Sequence, residues 1–381
     1  MVVRLMAKIL VITDMDDNGS GYKTICVPLL NGLAKLGHEI KVSGLMYTGK
    51  EHNNSFSIIP CASIQDAQAV ANNIVHLWKP EIIIVALDLP LQDAFFNYLG
   101  HFKIPYIAIT PLENGPLTMS WAAPLFNINA VFFISELGKL EAQKAGVHKA
   151  EHLQIGVDTE SWHPATPDER KQLRKGLGIA EESFVVLTVA DNQERKNLWA
   201  GLKAFSLLKK ETDRPLKYIL VTRERSQYGW KLRDLAVTLD INQELSIFER
   251  GLPQKDLWGL YAIADVYLQP SKAEGLGLPV LDAMACKVPV MATNTGAMTE
   301  LLEGGRGYLV PAEYVFTDVW GNSSRSMMSI DTAKDYLKVV TINQQDDSAV
   351  QRAYEYVKGR TWDIPVKQID TKISELLNGQ K

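Results

Sequence analysis

The run Glu81–Leu87, EIIIVAL, constrains the fold of this chain more than any other stretch. A half-exposed strand alternates polar and apolar residues, whereas an unbroken apolar run between helical segments must be covered on both faces, as in the parallel sheet of an α/β fold. The rest of the first half repeats the theme. Strands are predicted at Lys8–Asp14, His38–Leu45, Phe56–Ile59, Pro105–Thr110, Ala130–Ser135 and Glu151–Val157, with helices at Lys23–Leu36, Ile64–Trp78, Leu91–Phe102 and Glu136–Ala145. Around Gly156–Pro164 (GVDTESWHP) the pattern breaks into turn formers and a proline, a linker composition. It then restarts with a helix at Asp168–Leu177 and strands at Phe184–Ala190, Leu216–Thr222, Leu245–Glu249, Val266–Leu268, Val288–Thr293 and Gly307–Val310. Helices at Asn197–Lys210, Tyr228–Leu239 and Asp256–Ala264 separate these strands. Residues Glu313–Arg325 lose periodicity and read as an irregular excursion, before helices at Thr332–Val340, Ser348–Gly359 and Trp362–Leu377. Two doubly wound α/β domains are the expectation, and 381 residues is too long for one ordinary core.

Composition narrows the class. A content of 46% hydrophobic and 22% charged residues fits a soluble globular protein. The formal charge of −4 gives no global reason to expect binding to nucleic acid or to anionic membranes. Cys26, Cys61 and Cys286 are widely spaced, without a CxxC or Cys/His cluster, and read as buried thiols in a reducing compartment. The opening MVVRLMAKILVITD is interrupted by Arg4 and Lys8, so it reads as a first strand and not as a signal peptide. No stretch approaches the roughly 20 apolar residues of a membrane span. A cytoplasmic enzyme is expected.

The chemistry concentrates between Asp265 and Glu300, ADVYLQPSKAEGLGLPVLDAMACKVPVMATNTGAMTE. Gly275 and Gly277 let the backbone approach a ligand, and Pro279 suits the first helical position of a helix expected to open there. Free N–H groups and the positive end of a helix then face whatever occupies the loop, which favours a phosphate. Glu274 stands at the loop entrance, and Asp282 is expected in the helix's first turn. In the first half, the loop DMDDNGSGYKT carries Gly19 and Gly21 before a helix. A lone Gly-x-Gly is more often a tight turn than a nucleotide-binding loop, and no full GxGxxG is present.

The segment SKAEGLGLPVLDAMACKVPVMATNTGAMTE closely resembles the signature of the retaining glycosyltransferases of family 4, also described as glycosyl transferases group 1. That pattern carries a Glu, seven residues and a second Glu; here Glu274 matches the first and Asp282 takes the second position. VADNQERKN (Val189–Asn197) is similar to the family's VGRxxxxKN, ISELGKLEAQKAGV (Ile134–Val147) to another of its segments, and GVDTESWHP to its GVDxxxFxP linker. The resemblance implies a GT-B fold, two Rossmann-like domains facing across a cleft. Residues 1–160, completed by a C-terminal helix over 362–381, would form the acceptor domain and 161–361 the sugar-nucleotide donor domain.

By the same resemblance, Glu274 serves at the donor sugar and Lys196 at the diphosphate. Five residues before Lys196, where the family usually has an arginine, stands Asp191, and Arg195 is the candidate second cation. Gly275, Leu276, Gly277 and Leu278 offer backbone N–H groups to phosphate, and Asp282 offers its carboxylate to the ribose. Phe248 and Arg250 follow the strand end where the family brackets the base. The histidine that many members carry in the first domain is missing from ITPLENGPLTMSW (Ile109–Trp121); Glu113 and Asn114 there either bond a sugar or cap a turn.

The implied activity is metal-independent transfer of a hexosyl group, with retention, from a UDP- or GDP-sugar to a hydroxyl, with no prosthetic group. Asp191, Asp282 and the missing histidine keep open a catalytically weak sugar-nucleotide-binding relative that assists a partner. A transferase acting on modified nucleic acid is disfavoured by the negative charge balance. The sparsely charged helices Lys23–Leu36 and Leu91–Phe102 predict no stable membrane insertion.

Overall fold

The computed structural model describes residues 6–342 and 347–379, which divide into two compact units. The first holds the described residues up to Gly156, together with Val319–Ser323 and those from Arg360 onward; the second holds Val157–Asp318 and the described part of Ser324–Gly359.

The first unit runs β1 (Lys8–Asp14), α1 (Gly21–Lys35), β2 (Glu39–Leu45), β3 (Ser57–Cys61), α2 (Ile64–Trp78), β4 (Ile82–Ala86), α3 (Leu89–Leu99), β5 (Tyr106–Thr110), the short α4 (Met119–Ala122), β6 (Ala130–Phe133), α5 (Glu136–Lys144) and β7 (Ala150–His152). Its strands form one parallel sheet in the order β3-β2-β1-β4-β5-β6-β7. Ile82–Ala86 is buried at every position, as an apolar strand covered on both faces must be.

In the second unit the order is α6 (Pro167–Gly176), β8 (Phe184–Val189), α7 (Leu198–Lys209), β9 (Leu216–Thr222), α8 (Leu232–Thr238), β10 (Leu245–Glu249), α9 (Gln254–Ile263), β11 (Val266–Gln269), α10 (Leu278–Ala285), β12 (Val290–Thr293), α11 (Ala297–Leu302) and β13 (Tyr308–Val310). A hairpin of β14 (Ala312–Thr317) and β15 (Ser324–Met328) follows, then α12 (Ile330–Ile342) and α13 (Asp347–Lys358). The final helix, α14 (Asp363–Asn378), lies in the first unit; residues 380 and 381 of the helix expected there fall outside the described residues. The second sheet is parallel, in the order β10-β9-β8-β11-β12-β13. Among the described residues no helix is long and apolar enough to cross a membrane.

Three expectations are corrected. Glu313–Arg325 is not irregular throughout, because β14 and β15 pair antiparallel with a register shift between Ala312 and Tyr314, which disturbs the period-two pattern that marks a hairpin in sequence. The helix expected from Tyr228 begins only at Leu232, since Ser226–Lys231 makes turns bonded to the neighbouring loop. Asp282 is not in the first turn of its helix, because α10 opens at Leu278, one residue before Pro279.

The second sheet is fastened at its amino-terminal edge by one carboxylate. Asp265, just before β11, accepts from Arg170 Nη2 at 2.7 Å, Arg174 Nη2 at 2.8 Å and the Val185 N–H at 2.7 Å. Arg174 is buried and also donates to the carbonyls of Glu181, Ser183 and Ile263, so α6, β8 and β11 share one charged anchor. Removing one partner of such a group strands the others without solvent. Asp265→Ala is therefore expected to lower stability by roughly 3 kcal/mol, read as a lower urea midpoint, with Asp265→Asn falling between the two; an unchanged midpoint would contradict the anchor.

Candidate functional site

In an open parallel sheet, ligands gather beyond the carboxyl ends of the strands, where the strand order reverses. The second sheet reverses between β8 and β11, because β9 and β10 extend to one side of β8 while β12 and β13 extend beyond β11. The loops leaving β8 and β11 carry Arg195, Lys196 and Glu274. Residues 78 apart in sequence are thus brought into one constellation.

Glu274 is buried, with 5% of its surface exposed. Lys196 Nζ donates to both its oxygens, at 2.7 and 3.0 Å, and Arg195 Nη1 donates to Oε2 at 3.3 Å. Gln269 Nε2 and Ser271 Oγ each donate to Oε1 at 2.7 Å. Burial by itself would raise the pKa of this carboxyl, but the charges of Lys196 and Arg195 and these hydrogen bonds outweigh it and bring the pKa down to about 2. Glu274 is consequently ionised at neutral pH. Its loop is held by further bonds: Lys272 N–H to Arg195 O at 2.9 Å, Arg195 Nη1 to Ala273 O at 2.7 Å, and Ala297 N–H to Glu274 O at 2.9 Å.

The glycine loop follows directly. Gly277 caps α10 with φ of +88°, a conformation that calls for glycine, and a Cβ there would lie 2.3 Å from Met298 Cε and make that side chain shift. The N–H groups of Val280 and Leu281 bond back to Gly277 O, which leaves those of Leu276, Gly277 and Leu278 outside the helical ladder. Beside a buried glycine loop and a helix start, this geometry suits an anion.

Asp282 lies deeper in α10 and is part-buried. Burial, and next the negative charge of Asp158, push its carboxyl up to about 8, so it is a proton carrier near neutrality and not a permanent anion. Asp158 belongs to the GVD segment, where its carboxylate accepts from the N–H groups of Glu160 and Ser161.

Lys196 closes a short 3-10 turn, Glu194–Lys196, and α7 begins only at Leu198 after a left-handed Asn197, so the lysine precedes the helix. Asp191, after β8, accepts from Arg223 Nη2 at 3.1 Å and Arg250 Nη1 at 3.2 Å. Phe248 lies within β10, opposite Val221 of β9, and Arg250 directly follows that strand. The remaining candidates belong to the first unit. Gly19, with φ of +100°, precedes Ser20, which caps α1 at Gly21 and donates to Asp14 Oδ2 at 2.9 Å. Beyond β5, Asn114 Oδ1 accepts from the Gly115 N–H at 3.0 Å, and Glu113 helps to line a small hollow with Asp88, Trp121 and Trp320.

Gln269, Ser271 and Arg223 escaped the sequence reading. Gln269 and Ser271 carried one signal, polar side chains at the end of an otherwise apolar strand; Arg223 carried none, because its partner lies 32 residues away.

A family profile described as glycosyl transferases group 1 matches residues 169–315. The chain is 31% identical over 167 residues to a GDP-mannose-dependent monoacylated alpha-(1-6)-phosphatidylinositol monomannoside mannosyltransferase of Corynebacterium glutamicum, covering 42% of each chain. To a D-inositol 3-phosphate glycosyltransferase of Corynebacterium urealyticum it is 30% identical over 192 residues, 48% of this chain and 44% of the other. The matched region thus spans less than half the length of these curated relatives. Among solved structures, the sucrose-phosphate synthase (tll1590) of Thermosynechococcus elongatus is similar with a TM-score of 0.77 at 16% identity, covering 98% of this chain and 99% of that one. Anabaena Alr3699/HepE in complex with UDP-glucose gives 0.74 at 16% identity, covering 98% and 100%. At such identities the likeness shows the fold, two parallel-sheet α/β domains of the GT-B class.

The raised pKa of Asp282 has a measurable sign. In the folded chain the carboxyl keeps its proton up to about pH 8, against an ordinary value of 3.8 in the unfolded chain. The folded state thus binds more protons in between, and this group's contribution to stability falls as pH rises from about 4 to about 8, levelling off above. Asp282→Asn cannot ionise and is expected to flatten the dependence of melting temperature on pH between about 5 and 8. An equally steep profile in the variant would contradict the assignment.

Proposed function

We propose, from the premise that residues 169–315 belong to the glycosyl transferases group 1 family, that this chain transfers a hexosyl group from a nucleoside-diphosphate sugar to an acceptor hydroxyl, with retention of configuration and without a metal ion. The observation that carries this reading is the buried Glu274 held by Lys196 and Arg195 beside the glycine loop, at the point where the strand order reverses.

Departure of the nucleotide places growing negative charge on its diphosphate. Lys196, Arg195 and the N–H groups at Leu276, Gly277 and Leu278 supply fixed positive charge and dipoles where that charge develops. Glu274 serves at the donor sugar: ionised and fixed by four side chains, it accepts hydrogen bonds from the sugar hydroxyls and favours positive charge at the anomeric carbon. Asp282, protonated near neutrality, serves at the ribose as donor or acceptor.

Retention follows if the leaving phosphate stays on the face from which the acceptor attacks and takes the acceptor's proton. Such a route requires positioning more than a dedicated base, and the segment Ile109–Trp121 indeed carries no histidine. The donor half is assigned to residues 161–361 and the acceptor half to 1–160 with the C-terminal helix; Gly19 and Gly21 are assigned to nucleotide binding, and Glu113 and Asn114 to the acceptor or sugar. Phe248 and Arg250 flank the base. GDP-mannose and UDP-glucose both occur in the names of similar proteins, which supports a UDP- or GDP-sugar donor.

A donor panel tests the reading. Wild type is expected to consume one UDP- or GDP-sugar, equally in EDTA, while Glu274→Gln lowers kcat by about 100- to 1,000-fold. Lys196→Ala is expected to lower kcat and donor affinity together. Saturable donor binding without turnover across acceptor pools would instead favour a sugar-nucleotide-binding relative, and loss of all activity in EDTA would exclude the metal-free route.

A further inference from the structure

We propose that Lys272 is a positioning residue: its buried ammonium, paired with Glu194 and set against the β14–β15 hairpin, holds the turn that carries Arg195 and Lys196 in register with the loop that carries Glu274. The inference rests on the glycosyl-transfer reading above and adds to it a residue that acts through others.

Lys272 stands two residues before Glu274, and its side chain is only 7% exposed. Its N–H donates to Arg195 O at 2.9 Å, so the backbone of one loop is bonded to that of the other. Its ammonium pairs with the carboxylate of Glu194, the first residue of the 3-10 turn Glu194–Lys196. Lys272 thus grips the cation-bearing turn at two successive residues, once through the backbone and once through charge. On its other side the Lys272 carbonyl accepts from the Ser326 N–H at 2.9 Å and from Thr295 Oγ1 at 3.1 Å. The ammonium also lies 5.6 Å from the centre of the Phe316 ring. Phe316 belongs to β14 and Ser326 to β15, so both strands of the hairpin meet this one residue.

Stability alone gives little reason for a lysine here. Burial lowers the pKa of this ammonium below the ordinary lysine value, with Asp318 acting against that shift and Arg325 adding to it, so the charge is held at a cost. An apolar side chain of similar volume in place of a buried charge is often as stable. Glu194, with 59% of its side chain exposed, turns to water when its partner is removed, so Lys272→Met strands no buried carboxylate. What the ion pair adds is direction. An apolar side chain fills the same space without fixing where Glu194 sits, and the two residues after Glu194 are the ones that meet Glu274, at 3.3 Å from Arg195 and 2.7 Å from Lys196. A shift of about 1 Å between such groups costs on the order of 100-fold in rate.

Steady-state kinetics with the UDP- or GDP-sugar that wild type consumes tests the role in Lys272→Met, Lys272→Arg, Glu194→Gln and the double variant of Lys272→Met with Glu194→Gln, with melting temperature as the check on folding. Lys272→Met is expected to lower kcat about 10- to 100-fold while donor KM and melting temperature stay close to wild type, the pattern of an interaction realised in the transition state. Lys272→Arg recovers part of that loss. Glu194→Gln lowers kcat as well, and the double variant is no worse than Lys272→Met alone, because the pair acts as one unit. Wild-type kcat in Lys272→Met, additive losses in the double variant, or a donor KM that rises in step with a falling melting temperature each overturn the role. Should Lys272→Met fail to fold, Glu194→Gln on its exposed side chain decides: a lowered kcat supports the role and a wild-type kcat overturns it. A wild type that consumes no donor overturns the transfer reading and this role with it, whereas an active wild type matched by its variants overturns the role of Lys272 alone.

Discussion

The ion cage around Glu274 is the interaction on which the rest of this site depends. An ionised carboxylate in the interior is unstable unless its charge is matched and its lone pairs are occupied. Here Lys196 and Arg195 match the charge, while Gln269 and Ser271 share Oε1. Gln269 in turn accepts from Tyr267, whose hydroxyl also reaches Val189 O at the end of β8. The cage therefore fixes the loops that leave β8 and β11, and those loops carry the glycine turn and the helix start. A rigid charged scaffold of this kind does not reorganise when charge shifts onto a leaving group, which is how electrostatic catalysis gains its strength.

Around that cage the charges alternate across neighbouring strand ends. Glu274 and Asp191 each collect two cations, the first at the reversal of the sheet and the second on the β8, β9 and β10 side. Asp282 belongs to a different regime. Burial and the charge of Asp158 keep its proton on near neutrality, so two carboxyls eight positions apart in one sequence motif titrate far apart.

Local sequence carried the fold a long way. Ile64–Trp78 coincides with α2, and Lys8–Asp14, Leu216–Thr222 and Leu245–Glu249 coincide with β1, β9 and β10, because apolar runs and helical periods are read over consecutive residues. The hairpin of β14 and β15 was missed because its register shift breaks the alternation that would have marked it. Gly277 was legible as a required glycine, and its positive φ gives the reason.

The sequence by itself determined the alternation of strands and helices, the glycine loop and the two acidic positions of its motif, since each depends on neighbours along the chain. Only the tertiary structure decided what those carboxyls are. Lys196, Arg195, Gln269 and Ser271 keep Glu274 ionised, Arg223 and Arg250 pair with Asp191, and burial beside the charge of Asp158 makes Asp282 a proton carrier. A carboxyl's charge is set by what surrounds it in space within a few ångströms, and a linear sequence does not contain that distance.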